Sequence, residues 1–154
     1  MNLRDEIMID ASPTTVWEFV ENPESMALWN PKVKRVTAPQ APRRIGSTYA
    51  IMYEMNGKVQ EFRAEFIEHD PPNKLVIRLN SASLKPDSSV EESYTLTDCD
   101  GRSRLVQTIT VHNSGINPIF RLLIWFIMKF GSPTGKRYLE TLKDLAETQA
   151  SANK

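Results

Sequence analysis

A run of alternating apolar and polar residues extends from Lys32 to His112, broken only by short turn signals, and it constrains the fold more than any other part of the chain. In one segment of it, Tyr49, Ile51 and Tyr53 share a face. Such period-two patterns are typical of strands with one buried face, and the pair Asn56-Gly57 is a strong hairpin signal. The predicted strands are Val33–Thr37, Thr48–Met55, Val59–Glu68, Lys74–Asn80, Val90–Thr97 and Leu105–Val111. Because short turns connect them, they predict an antiparallel meander.

The residues before this run predict one more strand and two short helices. Leu3 to Asp10 alternates in the same way as the later strands. Ser12-Pro13 predicts a helix start, because a serine side chain can cap the first turn and proline suits the first helical position. Asn22-Pro23 ends that helix and can cap a second one, from Pro23 to Leu28, which Asn30-Pro31 then ends.

The C-terminal part predicts a long helix in two halves. Asn117-Pro118 can start a helix that runs to Phe130, and Gly131-Ser132-Pro133 breaks or kinks it before a continuation to about Gln149, beyond which we expect fraying. Residues 119–130 are apolar nearly all the way around a helix, whereas a helix covering one sheet needs only one apolar stripe. Four roles stay open for this segment: core, lid, homodimer contact or transient membrane contact.

The order of these elements predicts an α+β fold in a single domain over residues 1–154. An antiparallel sheet with one apolar face needs a cover, and the C-terminal helix is the only predicted element large enough to supply it. We therefore expect a curved antiparallel sheet of about seven strands wrapped around the long C-terminal helix. The two short helices after strand 1 then close one end, and a cavity can remain between sheet and helix.

The N-terminal residues resemble a known signature. The stretch from Ile9 to Pro13, then Val16-Trp17, Asn22-Pro23-Glu24 and Trp29-Asn30-Pro31, is similar to the start of SRPBCC superfamily domains. The superfamily has the helix-grip fold of START lipid-transfer domains and birch-pollen-allergen proteins, and this chain looks most like its polyketide cyclase/dehydrase and lipid transport group. The resemblance implies a cavity for lipids, polyketides, hormones or quinones. It carries no catalytic residues over, because no single catalytic motif defines the superfamily.

Composition narrows the classes of partner. Lys+Arg and Asp+Glu both number 19, so no global positive field favours nucleic acid. The lone cysteine, Cys99, excludes an intramolecular disulfide, and one Cys with two isolated histidines argues against a metal site, so we expect no metal and no cofactor. His69, before a proline pair, is expected on an exposed turn, and His112 at the surface near a strand end.

The location of the protein is also constrained by its sequence. The start MNLRDEIMID has acids where a signal peptide needs a basic stretch followed by an apolar one. The apolar run from Ile119 to Phe130 contains Arg121 and Lys129 and is too short to span a bilayer. We therefore expect a cytoplasmic protein without a transmembrane span.

Several polar residues fall in the inward phase of the predicted strands. Glu92, Gln107 and the tyrosines 49, 53 and 94 alternate with outward residues and lie in phase with apolar neighbours. Apolar walls with a few convergent polar groups suit an amphipathic small molecule. The candidate ligand-binding residues are Tyr49, Tyr53, Phe62, Phe66, Ile77, Glu92, Tyr94, Gln107, Ile109 and Trp125. In the alternative interpretation, the tyrosines pack as core with their hydroxyls at the rim, and Glu92 pairs with an arginine or lies near a strand end.

Three functions are consistent with this pattern. The first is a binding module that carries or sequesters a hydrophobic small molecule in the cavity. The second is a polyketide cyclase or dehydratase that uses Glu92, the weak catalytic candidate, and a tyrosine as acid and base. The third is a protein-interaction module that uses the apolar helix 119–130. Whether the inward polar groups converge at one point or scatter is the feature that separates the first two.

Overall fold

The structure is a computed structural model and describes residues 2–55, 57–82, 84, 87–112 and 137–154. Its elements are β1 (Asn2–Ile9), α1 (Pro13–Glu21), a 3-10 turn (Pro23–Ser25), α2 (Met26–Trp29), β2 (Val33–Thr37), β3 (Thr48–Met55), β4 (Lys58–Asp70), β5 (Lys74–Asn80), β6 (Ser89–Cys99), β7 (Arg102–His112) and α3 (Tyr138–Ala152). The predicted apolar helix 119–130, with Trp125, lies outside the described residues. The roles left open for that segment therefore stay predictions.

The seven strands form one curved antiparallel sheet in the order β1-β7-β6-β5-β4-β3-β2. β2 to β7 are therefore a meander, and β1 pairs with β7 at one edge. The hairpin that Asn56-Gly57 predicts is present, since Met55 pairs with Lys58. A second tight turn joins β6 to β7, where Asp100 and Gly101 both have positive φ, the conformation that Gly adopts most easily. The predicted fold class is confirmed.

The helices after β1 begin where the sequence places them. Ser12 Oγ accepts a hydrogen bond from the Thr15 backbone N–H at 3.3 Å, with Pro13 at the first helical position. Asn22 Oδ1 accepts from the Glu24 N–H at 3.2 Å and caps the next segment. That segment is a 3-10 turn followed by the single turn of α2, rather than one helix from residue 23 to residue 28.

The inner face of the sheet is buried against α1, α2 and α3. Trp17 and Trp29 are 5% and 1% exposed, and Trp29 Nε1 donates to the Phe19 carbonyl at 3.3 Å. Leu139 and Leu142 of α3 are fully packed in the same core. The two tryptophans therefore fix the short helices against the sheet.

Side-chain hydrogen bonds hold α3 in place, and those of Lys143 and Gln149 are two of them. The Lys143 ammonium donates to the Met8 carbonyl at 2.8 Å, and the Gln149 amide donates to a carboxylate oxygen of Glu18 on α1. The second contact holds the last turns of the helix, which continues to Ala152. The expected fraying after Gln149 is therefore wrong.

A β-bulge in β4 overturns the prediction for His69. The β4–β5 register passes from Phe66↔Ile77 to Glu68↔Val76, so one extra residue on β4 inverts the alternation beyond it. His69 consequently faces inward, opposite Leu75, and its side chain is only 12% exposed instead of lying on an exposed turn. Its ring stacks on Phe66 at 5.7 Å, and Nε2 lies 2.6 Å from Glu21 Oε1 at the end of α1. His112, at 47% exposure on the last residue of β7, is at the surface as expected.

The contact between His69 and Glu21 should couple α1 to the sheet. In a double-mutant cycle with His69→Ala and Glu21→Ala, we expect a coupling free energy of about 1 kcal/mol or more, because the pair is largely shielded from water. Urea unfolding of the four proteins measures it. The exposed pair Arg4–Glu6 is the control and should give at most about 0.5 kcal/mol. Equal coupling free energies in the two cycles would contradict the claim that the His69–Glu21 contact couples α1 to the sheet.

Candidate ligand-binding site

Glu92 lies in the middle of the inner face of the sheet. In the register it stands opposite Ile77 on β5 and Ile109 on β7, and its exposure is 9%. Among the described residues it has no arginine or lysine partner, and it is not near a strand end. The alternative interpretation, in which Glu92 pairs with an arginine or lies near a strand end, has no support among the described residues.

A chain of hydrogen bonds ends on the Glu92 carboxyl group. The Gln107 side-chain amide donates to the Tyr94 hydroxyl at 3.1 Å, and that hydroxyl donates to Glu92 Oε2 at 2.7 Å. The backbone explains the geometry, because Tyr94 and Gln107 are directly paired across β6 and β7, and Glu92 is the next inward residue on β6. Among the described residues, the second carboxyl oxygen of Glu92 has no hydrogen-bond partner and is available to one.

All four tyrosines of the chain have a raised pKa, with burial as the largest cause in each and the charge of Glu92 as the next. The hydroxyls of Tyr49 and Tyr138 are buried and have no hydrogen-bond partner among the described residues. The Tyr53 hydroxyl donates to Met26 Sδ at 3.6 Å. The charge of Glu92 therefore acts on the hydroxyl groups of all four tyrosines.

Glu92 itself is biased toward its neutral form. Burial raises the pKa of its carboxyl group, and the hydrogen bond from Tyr94 only partly opposes this. A protonated carboxyl can donate one hydrogen bond and accept another, whereas an ionised one only accepts. The centre can therefore meet either a donor or an acceptor on a ligand.

The walls around this centre are apolar. Phe62, Phe66, Ile77 and Ile109 are all buried on the inner face. Two of these rings orient tyrosines: Tyr49 packs edge-on against Phe66 at 5.8 Å, and Tyr53 against Phe62 at 5.4 Å. Nine of the ten candidate residues thus share one face of the sheet, and the tenth, Trp125, lies outside the described residues.

Two further polar residues at the site, Asp5 and Tyr138, escaped prediction. Asp5 stands opposite Gln107 on β1, and its carboxylate accepts a hydrogen bond from Arg137, the residue before α3. Arg137 also bonds to Glu140 of the first helical turn, which completes a capping box. Asp5 could have been found, because it alternates in phase with Leu3 and Ile7. Tyr138 could also have been found, because it lies four residues before Leu142 and seven before Leu145, on the apolar side of this helix.

The described residues hold neither a metal cluster nor a membrane-spanning helix. No three His, Cys, Asp or Glu side chains in that part of the chain are grouped so that they could hold a metal ion. None of the helices among those residues is long and apolar enough to cross a membrane.

The sheet, the short helices and the C-terminal helix define the helix-grip class of fold. Residues 1–147 match the protein family described as "Polyketide cyclase / dehydrase and lipid transport", and the chain belongs to this family. The resemblance of the N-terminal residues to this group is thereby confirmed. A search of the curated proteins finds no match.

Solved structures agree on the fold. The Zhui aromatase/cyclase from Streptomyces sp. R1128 is 15% identical with a TM-score of 0.75, covering 97% of this chain and 94% of that one. Ara h 8.0201 is 12% identical with a TM-score of 0.71, covering 96% and 98%. A START superfamily protein from Mycobacterium smegmatis is 14% identical with a TM-score of 0.67, covering 99% of both chains.

The two adjacent glutamates of β6 should respond to pH in opposite directions. The pKa of Glu92 is raised in the folded state, whereas in the unfolded chain a glutamate releases its proton near pH 4.3. The free energy of unfolding of the wild type, relative to that of Glu92→Gln, should therefore fall as pH rises above about 4.3. Burial alone would also raise the pKa of Glu91 on the outer face, but hydrogen bonds from Arg78 and His112 outweigh it and lower that pKa. Stability relative to Glu91→Gln should therefore fall as pH decreases from about 5 to 3. Urea unfolding from about pH 3 to about pH 8 measures both effects, and slopes of the same sign would contradict the assignment.

Removing the Tyr94 hydroxyl, which is part of the hydrogen-bond chain, should cost more stability than removing the Tyr49 hydroxyl, which has no partner among the described residues. Tyr94→Phe leaves the Gln107 amide without its acceptor and Glu92 without its donor, so we expect a loss of about 1–3 kcal/mol. Tyr49→Phe removes a hydroxyl that has no partner among the described residues, so stability should be unchanged or rise by up to about 1 kcal/mol. Thermal and urea unfolding of both variants make the comparison, and similar losses would count against it.

Proposed function

We propose that this protein binds a hydrophobic or amphipathic small molecule between the sheet and α3, as a carrier or a sequestering module. The observation that carries the proposal is the convergence of buried polar groups on an otherwise apolar face. Glu92, Tyr94 and Gln107 are bonded to one another, and the hydroxyls of Tyr49 and Tyr138 are buried without partners in the described part of the chain.

The energetics of those two hydroxyls support a ligand with a polar atom. A buried hydroxyl without a hydrogen bond costs about 1–3 kcal/mol, and a ligand oxygen that bonds to either hydroxyl would recover this. The apolar body of the ligand would supply most of the affinity, at about 25 cal/mol per Å² of buried area before ordering costs. The family description, which includes lipid transport, is in accord with such a ligand.

Native mass spectrometry of protein purified from its own host tests the proposal most directly. We expect an additional mass that disappears on denaturation and that belongs to an apolar molecule with at least one oxygen. A double variant, Tyr49→Phe with Tyr138→Phe, should retain about three- to tenfold less of it, because the two hydroxyls no longer meet the ligand oxygen. Ile45→Ser, at an exposed apolar position, is the matched control and should retain the wild-type amount. A protein that carries no ligand and binds no apolar probe would overturn the proposal.

One observation favours a second candidate, a cyclase- or dehydratase-type enzyme. Three of the inward polar residues, Glu92, Tyr94 and Gln107, form one hydrogen-bonded chain. In it the buried Glu92 carboxyl and the Tyr94 hydroxyl are 2.7 Å apart, close enough to act together as acid and base. One structurally similar protein is named an aromatase/cyclase. Turnover of a polyketide-like substrate that drops at least about a hundredfold in Glu92→Gln would support this candidate, and unchanged turnover would remove it.

A further inference from the structure

We propose that the site selects a ligand whose polar group is a neutral oxygen function, such as a hydroxyl or a ketone, and that it discriminates against carboxylates and phosphates on the same apolar body. This inference rests on the proposed binding function and specifies the ligand class for that same site. It follows from the charged groups around Glu92 and from the hydrogen-bond donors that have no partner among the described residues.

The charges in the described residues do not provide for an anion. Glu92 is itself an acid, and it is bonded to a neutral hydroxyl instead of a cation. Arg137 is held by two carboxylates, those of Asp5 and Glu140. Arg43, on the loop before β3, donates to the Pro39 carbonyl at 3.1 Å. Burial raises the pKa of Tyr49, and the charge of Arg43 only partly opposes this. A ligand carboxylate beside Glu92 would therefore place two acids together, with neither of them paired to a cation of the described residues.

That arrangement is costly in a buried site. Two carboxylates that share an apolar environment cannot both stay ionised, so binding the anion requires the uptake of a proton. At about pH 8 this uptake weakens binding about tenfold for each pH unit above the pKa of the pair. A neutral ligand oxygen avoids this penalty entirely.

The unused hydrogen-bonding groups fit a neutral oxygen. The hydroxyls of Tyr49 and Tyr138 can each donate, and the second carboxyl oxygen of Glu92 can donate or accept according to its protonation. A ketone would accept from the tyrosines. A hydroxyl would accept from one tyrosine and donate to a neighbouring oxygen, so either group can satisfy the centre without bringing charge.

Three fluorescent probes with one apolar body test the inference: pyrenebutanol, pyrenebutyric acid and pyrenebutylamine. Fluorescence titration of the full-length protein at about pH 8, below the probes' aggregation threshold, gives a Kd for each. We expect the alcohol to bind at least about tenfold more tightly than the acid. We also expect it to bind at least as tightly as the amine, because burying an ammonium group beside Glu92 carries a desolvation cost that a neutral hydroxyl does not.

Two glutamine variants identify the source of the selectivity. Glu92→Gln removes the acid and keeps its shape, so the ratio of the acid Kd to the alcohol Kd should fall toward one. Glu91→Gln, the next residue on the same strand but on the outer face with Arg78 and His112, should keep the wild-type ratio. Circular dichroism confirms that each variant is folded.

The outcomes separate this inference from the proposed function. Equal or tighter binding of the acid, or tighter binding of the amine, overturns the neutral-ligand inference while leaving the binding function intact. A ratio that Glu92→Gln does not change also overturns it, since the selectivity would not come from Glu92. Failure of all three probes to bind counts against the binding function itself and removes the inference with it.

Discussion

An antiparallel sheet that is apolar on one side cannot leave that side in water, and the rest of this structure follows from that constraint. The seven strands bury residues from every second position, and α1, α2 and α3 lie over them. Because helices and sheet meet only through side chains, space between them depends on side-chain size and shape. The fold therefore supplies an interior whose lining can change without any change in the framework.

The polar groups in that interior are what distinguish it from an ordinary core. A buried carboxyl group is unfavourable unless it is neutralised or hydrogen-bonded, and here both mechanisms act on Glu92. The Tyr94–Gln107 pair satisfies one carboxyl oxygen, and burial favours the protonated form. The remaining hydrogen-bonding capacity has no structural use among the described residues, which is why we relate it to a ligand.

Much of the fold and part of the site could be predicted from the sequence, because both depend on local periodicity. The alternation from residue 48 onwards places Glu92 and Gln107 inward as directly as it places Leu96, and the caps at Ser12 and Asn22 are read from residue type alone. The environment of His69 could not be predicted, because a bulge adds one residue to β4 and leaves no clear trace in the sequence. Tyr138 was missed although the apolar stripe of α3 places it on the buried side, four residues before Leu142. Its lack of a hydrogen-bond partner among the described residues is a tertiary property that periodicity does not show.

The pleat of β6 has a consequence for the chemistry of neighbouring residues. Glu91 and Glu92 are consecutive and identical in type, yet one belongs to a hydrated ionic network and the other to an apolar interior. Only the backbone of the sheet separates the aqueous environment of Glu91 from the apolar environment of Glu92. In such a strand, odd and even positions face opposite sides, and the side on which a glutamate lies decides whether its pKa is raised or lowered. An insertion of one residue before Glu91 would therefore move Glu91 to the inner face and Glu92 to the outer face, and their acid–base properties would be exchanged.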